Sequence, residues 1–425
     1  MLDIDVLWDL GALGTQDQAT QGNYTYLYTF SEQSHWQLRL LILGSYSGLM
    51  EQTLSRTSAV HKSSIAQNNL AHFNRTNWPP WRHPHLAFFM NVTRLQRILD
   101  RASSKRITVI GDLMLDEFVW GKVGRISPEA PVPVVEVTSE SFYPGGAANV
   151  ARNLREFVDH VAVIGLLGKD RSGQQLRELL AEQKIDVSDA VENETFRTIV
   201  KTRIIARHQQ VVRVDREQPA GPSAAQMKQV VAAVRKSLSR TDAIIFEDYG
   251  KGFLMTEVVS QIARDAREKG KLVAADPNPR HSVDWRGVTV VTPNRAEAFL
   301  AAGIPWRDPD EAPAQDVELK RAGEALLKKW ETKYVLITLG EHGMMLFQQE
   351  GPPHYIPTKA RQVFDVSGAG DTAIALFTLG LACEATPVEA AEIANHGSAV
   401  VVSKLGTATV TRDELIASFK NDAKR

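Results

Sequence analysis

The chain has 425 residues, 43% of them hydrophobic, which is enough for a buried core in one large or two medium domains. With 49 Lys+Arg against 50 Asp+Glu the formal charge is -1, so no broad basic field exists to attract nucleic acid or an anionic membrane, and phosphate recognition must be local. The single cysteine, Cys383, excludes an internal disulfide and a multi-thiolate metal site and suits a reducing, cytoplasmic setting.

Residues 1–88 are rich in Gln, Asn, Ser, Thr and His, and neither helical nor strand periodicity persists in them, so they are expected to be a disordered or non-native extension. Their most apolar stretch, Leu38 to Met50, is interrupted by Gly and Ser and is shorter than the roughly 20 residues a membrane span needs. The first residues are acidic rather than basic, so no signal peptide is expected.

From Asn91 the texture changes. Leu95, Ile98 and Leu99 fall at helical spacing, and an apolar strand, Ile107 to Ile110, ends at Gly111-Asp112. Further apolar runs at Val161–Ile164, Ala243–Phe246, Leu272–Ala275, Val288–Val291 and Val335–Thr338 alternate with helical stretches. That alternation predicts an α/β domain over 89–425, with a parallel sheet covered on both faces. Val132–Val137 and Arg197–Val214 break the rhythm. Runs such as Ile199-Val-Lys-Thr-Arg-Ile-Ile205 alternate apolar with basic residues and predict a small accessory sheet.

Two glycine-bearing segments carry chemistry. Gly145-Gly146-Ala-Ala-Asn149 opens a predicted helix, Ala147 to Phe157; paired glycines let a polyol lie against the backbone, and an amide can serve hydroxyls as donor and acceptor. Upstream, Asp112 and Asp116 flank Leu113-Met-Leu just past the first strand, where ligands collect in open α/β sheets, although they could equally be turn residues. Late in the chain, Asp365-Val-Ser-Gly-Ala-Gly-Asp371-Thr372 follows a strand-like Gln362-Val-Phe and leads into an apolar run from Ala373 to Cys383. A glycine loop opening a helix suits a phosphoryl group. A carboxylate beside it is repulsive unless it takes a proton from the attacking hydroxyl, which makes Asp371 a candidate base; a helix cap is the alternative. Gly368-Ala-Gly370-Asp-Thr-Ala373 also matches the relaxed dinucleotide fingerprint, but Thr386-Pro387 leads on into a second helical stretch with no intervening strand. A Walker A loop fails too, because Gly165-Leu-Leu-Gly168-Lys169-Asp170 lacks the spacing and the hydroxyl residue.

Taken in order, these blocks resemble the ribokinase-like (PfkB) sugar kinases over Asn91 to Arg425. The resemblance implies a three-layer α/β/α domain with a small β lid, whose strands would lie near 118–144 and 197–216. It implies Asp371 as catalytic base with Gly368, Ala369 and Gly370 supplying amides to the transferring phosphoryl. It places the sugar against Asp116, Gly145, Gly146 and Asn149, and the cofactors ATP and Mg²⁺ against Asn294, Arg295, Ala296 and Glu297, the last holding the metal through water. Asn278, Gly340 and Asn395 would lie near the nucleotide. Finer matches in Gly124-Arg125-Ile-Ser127-Pro128-Glu129, Lys201-Thr-Arg203-Ile-Ile-Ala-Arg207 and Asp248-Tyr-Gly-Lys251-Gly resemble the bacterial heptose-7-phosphate kinases that feed ADP-heptose synthesis for lipopolysaccharide core. A substrate with a terminal phosphate needs extra cations, and Arg125, Lys201, Arg203, Arg207 and Lys251 are available, with Asp248 beside them. Homodimerisation through the lid is expected, with no nucleic-acid or membrane partner. In that family the kinase is often fused to a C-terminal nucleotidyltransferase, which is expected here on another polypeptide. The alternatives are a kinase for another sugar phosphate, such as fructose 1-phosphate, and a non-catalytic sugar- or nucleotide-binding regulator; the presence of Asp371 favours an enzyme.

Overall fold

The computed structural model divides into Met1–Ala87 and Phe88–Arg425 and describes five strand segments of the first unit and, in the second, residues 90–422 without 208, 219, 220 and 310. In the first unit β1 (Val6–Leu7), β2 (Gln16–Gln21), β3 (Tyr24–Thr29), β4 (Gln37–Leu43) and β5 (Leu49–Ser55) pair antiparallel in chain order. No regular element was expected there, but antiparallel neighbours need only short turns to pair. The remainder of the expected extension, 1–88, lies outside the described residues.

The second unit opens on α1 (Val92–Leu99), capped by Asn91, whose side chain accepts from the Arg94 amide; Leu95, Ile98 and Leu99 face the core as their spacing predicts. Its main sheet runs β19-β18-β17-β16-β15-β14-β6-β9. The strands are β6 (Arg106–Gly111), β9 (His160–Ile164), β14 (Ala243–Glu247), β15 (Leu272–Asp276), β16 (Val290–Val291), β17 (Tyr334–Thr338), β18 (Met344–Gln348) and β19 (His354–Ile356). The last two are antiparallel additions to a parallel sheet.

Side chains alternate between two cores, which is why these strands read as continuous apolar runs. In β14, Ala243 and Ile245 enter one core and Ile244 and Phe246 the other. The first core is closed by α1, α2 (Ala147–Arg155), α3 (Arg171–Glu182), α8 (Ala369–Ala382), α9 (Pro387–Val401) and α10 (Arg412–Asp422). The second lies under α4 (Ala224–Ser237), α5 (Thr256–Glu268), α6 (Arg295–Ala302) and α7 (Val317–Lys329). This is the expected three-layer α/β/α domain.

The lid is a separate sheet of order β13-β12-β7-β8, built from β7 (Leu113–Ile126), β8 (Pro133–Gly146), β12 (Ile199–Ala206) and β13 (Gln209–Arg216). A small parallel pair, β10 (Leu166–Gly168) and β11 (Val191–Asn193), lies between lid and domain in the chain. Three expectations are corrected. Leu113-Met-Leu is not a loop past the first strand but the start of β7, because it pairs with Gly146, Gly145 and Pro144. The run Val288–Val291 contributes only Val290–Val291 to the sheet. Gln362-Val-Phe forms no strand, and Val363 and Phe364 are exposed. Among the described residues no helix is long and apolar enough to cross a membrane.

Candidate active site

The site forms at the carboxyl ends of β6, β14 and β15, where α8 begins. Gly368 caps α8 in the left-handed conformation, φ 79°, and a Cβ there would stand 2.8 Å from Asn149 Nδ2. No side chain caps this helix, so Asp371 in its first turn is not the cap. Its carboxyl instead accepts Asn149 Nδ2 at 2.6 Å and the Tyr249 hydroxyl at 2.9 Å. Asp371 is 4% exposed, and burial pushes it up to about 6, opposed by those two hydrogen bonds. Its value therefore reflects burial, and it lies close to neutral pH, where a general base is effective.

Asn149 sits on α2, whose cap, Gly146, has φ 59° and ψ -134°. The amide was expected against sugar hydroxyls; here it is anchored by Arg152, which donates to Asn149 Oδ1 at 3.3 Å, and turns its NH₂ onto Asp371. Thr372 braces the same junction by donating to Asn153 Oδ1 at 2.9 Å.

The two early aspartates separate in role. Asp112 accepts the backbone amides of Tyr249, Lys251 and Phe253 at 2.9, 3.0 and 3.3 Å and so pins the loop that carries Tyr249. Asp116, on β7, faces the lid: Arg203 Nη1 donates to Oδ1 at 2.6 Å and Thr407 Oγ1 to Oδ2 at 3.2 Å. Arg203 also stacks 5.1 Å from the Phe118 ring.

Strand register explains the cationic set. Lys201 lies beside Asp116 on β7 and opposite Asp215 on β13, so all three share a face of the lid. Lys201 Nζ approaches Asp215 at 3.3 Å and Glu217 at 3.6 Å, and Lys251 Nζ reaches the same Glu217 at 2.7 Å. The Lys251 contact holds the Glu217 carboxyl below its ordinary range. Arg125 and Arg207 are not brought to this cluster: Arg125 is exposed towards the end of the β7–β8 hairpin, and Arg207 turns the chain between β12 and β13 with φ 58°. Asp248 is tied to His281 Nδ1 at 3.0 Å and to the Gly250 amide at 2.8 Å.

On the donor side Asn294 and Glu297 form a reciprocal capping box at the start of α6: Asn294 Oδ1 accepts the Glu297 amide at 3.0 Å, and Glu297 Oε2 accepts the Asn294 amide at 2.8 Å. Between them, Arg295 pairs with Asp316 at 2.6 Å and turns away from the cleft, while Ala296 is exposed. Asn278 accepts the Arg280 amide at 3.1 Å, Asn395 donates to the Pro357 carbonyl at 2.7 Å, and Gly340 opens a short 3-10 turn after β17. Asp276, at the end of β15, brings Oδ2 to 3.8 Å from where a Cβ of Gly370 would lie. Sequence reading missed Tyr249, Arg152 and Thr407; only the Asp-Tyr-Gly-Lys run and the three-residue step from Asn149 to Arg152 hinted at two of them.

A model of the pfkB family carbohydrate kinases matches residues 104–414. The chain is 42% identical over 335 residues to the bifunctional protein HldE of Citrifermentans bemidjiense, covering 79% of this chain and 67% of that protein. It is 41% identical over 330 residues to the HldE of Geotalea uraniireducens, covering 78% and 66%. The chain thus spans about two thirds of the length of these curated relatives. Among solved structures it is similar to Escherichia coli phosphofructokinase-2 in complex with potassium, with a TM-score of 0.62, 19% identity, and coverage of 75% of this chain and 99% of that one. Arabidopsis thaliana ribokinase complexed with ribose and ATP gives 0.56, 18%, 74% and 99%. At such identities the two structures speak for the fold alone.

Proposed function

The chain belongs to the pfkB family of carbohydrate kinases and is an ATP-dependent sugar kinase; from that premise we propose that its acceptor is D-glycero-β-D-manno-heptose 7-phosphate, phosphorylated on the C1 hydroxyl. The observation that carries the acceptor assignment is the lid face on which Lys201 and Arg203 stand beside Asp116, with Lys251 reaching towards it. Each of these cations is held by a carboxylate, Arg203 by Asp116 and the two lysines by Asp215 and Glu217, and a terminal phosphate is the substrate group suited to compete for the lysines. The resemblance of Gly124–Glu129, Lys201–Arg207 and Asp248–Gly252 to heptose-7-phosphate kinases supports the same choice.

In this reading Asp371 removes the proton from the C1 hydroxyl as that oxygen attacks the γ-phosphorus of ATP. Asn149 and Tyr249 hold the carboxyl in one orientation, and the opening turn of α8 places amides beside the transferring group. Mg²⁺ fits the donor side: Asp276 and Glu297 are carboxylates that burial pushes up, with the Arg280 charge opposing this at Glu297. They would hold the ion, which supplies charge neutralisation to the phosphates when bound. The kinase is carried by 90–422, and a cytoplasmic location matches its ATP dependence. The lid leaves Ile126, Val132, Val137, Val212 and Val214 exposed, an apolar surface suited to a second copy and hence to a homodimer.

Substrate phosphate must displace Asp215 and Glu217 from the lysines. Lys201→Ala is expected to raise KM for the heptose phosphate at least ~10-fold, the worth of one charge-assisted hydrogen bond, and to change KM for the unphosphorylated heptose little. Steady-state kinetics on both sugars checks this; equal effects on the two would remove Lys201 from the phosphate pocket.

A further inference from the structure

Arg152 stands on α2 one turn after Asn149 and is half-buried, with its Nε shielded from solvent and without a hydrogen-bond partner. Burial pulls the guanidinium below its ordinary value. Asp116, Glu156 and Asp371 lie near enough to favour its charge, yet its side-chain hydrogen bonds among the described residues go to an amide and a carbonyl, not to a carboxylate. An apolar side chain of similar length would fill the position at less cost, so the guanidinium is explained by what it orients.

Its contacts join two parts of the site. Nη1 carries two protons, and it donates to Asn149 Oδ1 at 3.3 Å and to the Thr407 carbonyl at 3.0 Å. A guanidinium can only donate, so it draws the Asn149 oxygen towards itself and leaves the NH₂ for Asp371, which accepts it at 2.6 Å. Thr407, in the segment between α9 and α10, donates its hydroxyl to Asp116 Oδ2 at 3.2 Å, and its methyl lies 3.5 Å from where a Cβ of Gly368 would stand. Tyr143, directly opposite Asp116 in the β7–β8 pairing, supports the guanidinium with its ring at 5.5 Å. The chain of contacts Asp116–Thr407–Arg152–Asn149–Asp371 therefore runs unbroken from the lid to the first turn of α8.

We propose that Arg152 is a positioning residue for the transfer: it couples the lid carboxylate Asp116, through Thr407, to the base Asp371, through Asn149, so that the seat of the acceptor and the base are held as one unit. This rests on the reading of Asp371 as the base and adds to it a residue that acts only through others.

The test is a double-mutant cycle on kcat of the full chain with ATP and D-glycero-β-D-manno-heptose 7-phosphate, or fructose 1-phosphate should that be the better acceptor. Arg152→Gln is expected to lower kcat at least ~10-fold, since small misplacements of a reacting group cost that much or more. A residue that acts through the base costs little once the base is gone, so adding Arg152→Gln to Asp371→Asn should lower kcat less than ~2-fold further. Arg152→Lys keeps the charge but cannot span both acceptors, and its kcat should fall between the Gln variant and the unmodified enzyme. Circular dichroism checks the fold; if the Gln variant does not fold, the Lys variant is taken round the same cycle. Unchanged kcat in the folded variant, or an equal loss with and without Asp371, would overturn the proposal, the second being what a purely structural role gives. Near-normal turnover of Asp371→Asn alone would sink the base reading and this proposal with it, so the two failures are told apart.

Discussion

Asp371→Asn is expected to slow turnover at least ~100-fold while leaving the fold intact, because loss of a general base typically costs on the order of 10² to 10⁴ in rate. The substitution changes little else. Asn can still accept from Asn149 through its carbonyl oxygen, and its NH₂ can donate to the Tyr249 hydroxyl, which turns from donor to acceptor. Stability moves the other way. The folded-state value of about 6 lies above the ordinary carboxylate value, so the folded protein holds this proton more tightly than the unfolded chain. The stability linked to Asp371 is therefore full below the unfolded value and lost as pH rises through about 6. At neutral pH the buried carboxylate costs on the order of 3 kcal/mol, and the Asn variant should melt at or above the unmodified enzyme. The same value predicts that kcat/KM of the unmodified enzyme declines as pH falls below about 6, and that the Asn variant loses this limb. Stopped-time assays from pH 5 to 8 with parallel melting curves check both. Near-normal turnover in a folded variant would remove Asp371 from the chemistry.

Gly146→Ala is expected to be strongly destabilising and to disturb the site as well. With φ 59° and ψ -134°, position 146 lies where only glycine rests without strain, and a Cβ would stand 2.5 Å from the Asp112 carbonyl oxygen. That oxygen cannot retreat freely, since it accepts the Ala147 amide at 3.0 Å at the start of α2. The Asp112 carboxylate meanwhile pins the loop of Tyr249. One methyl thus pushes on both groups that orient Asp371. Backbone strain plus the collision should cost at least ~3 kcal/mol, a fall of roughly 4 °C or more in Tm for a domain of this size. Thermal melting followed by circular dichroism measures it; an unchanged Tm would mean that the backbone at 146 is not held as described.

The order of these residues was legible in the sequence, whereas their partners were not. Val109 and Ile245 announce a buried parallel sheet because every other side chain enters a core, and Gly368-Ala-Gly370 announces a helix opening because small residues at a strand-to-helix turn are a local signal. The contact between Asn149 and Asp371 joins residues 222 apart, and no periodicity reports it. Sequence reading therefore could not report the bond from Asn149 to Asp371 and left Tyr249 unassigned. It also gave Asp112 and Asp116 one shared description, although one is a backbone clamp and the other an ion-pair partner, because both depend on chain more than eighty residues away. Lys201 and Arg203 were legible as basic residues alternating with apolar ones, but the pairing of Lys201 with Asp215 depends on the register of β12 with β13, which only the folded sheet fixes.

The most direct measurement of the acceptor is ATP-dependent phosphorylation by the full chain, followed by ³¹P NMR, across a panel of sugar phosphates and their unphosphorylated counterparts. The account predicts highest kcat/KM for D-glycero-β-D-manno-heptose 7-phosphate, with a new phosphate signal on the anomeric oxygen and the terminal phosphate retained. Preference for another sugar phosphate such as fructose 1-phosphate, or equal use of the heptose without its phosphate, would contradict it.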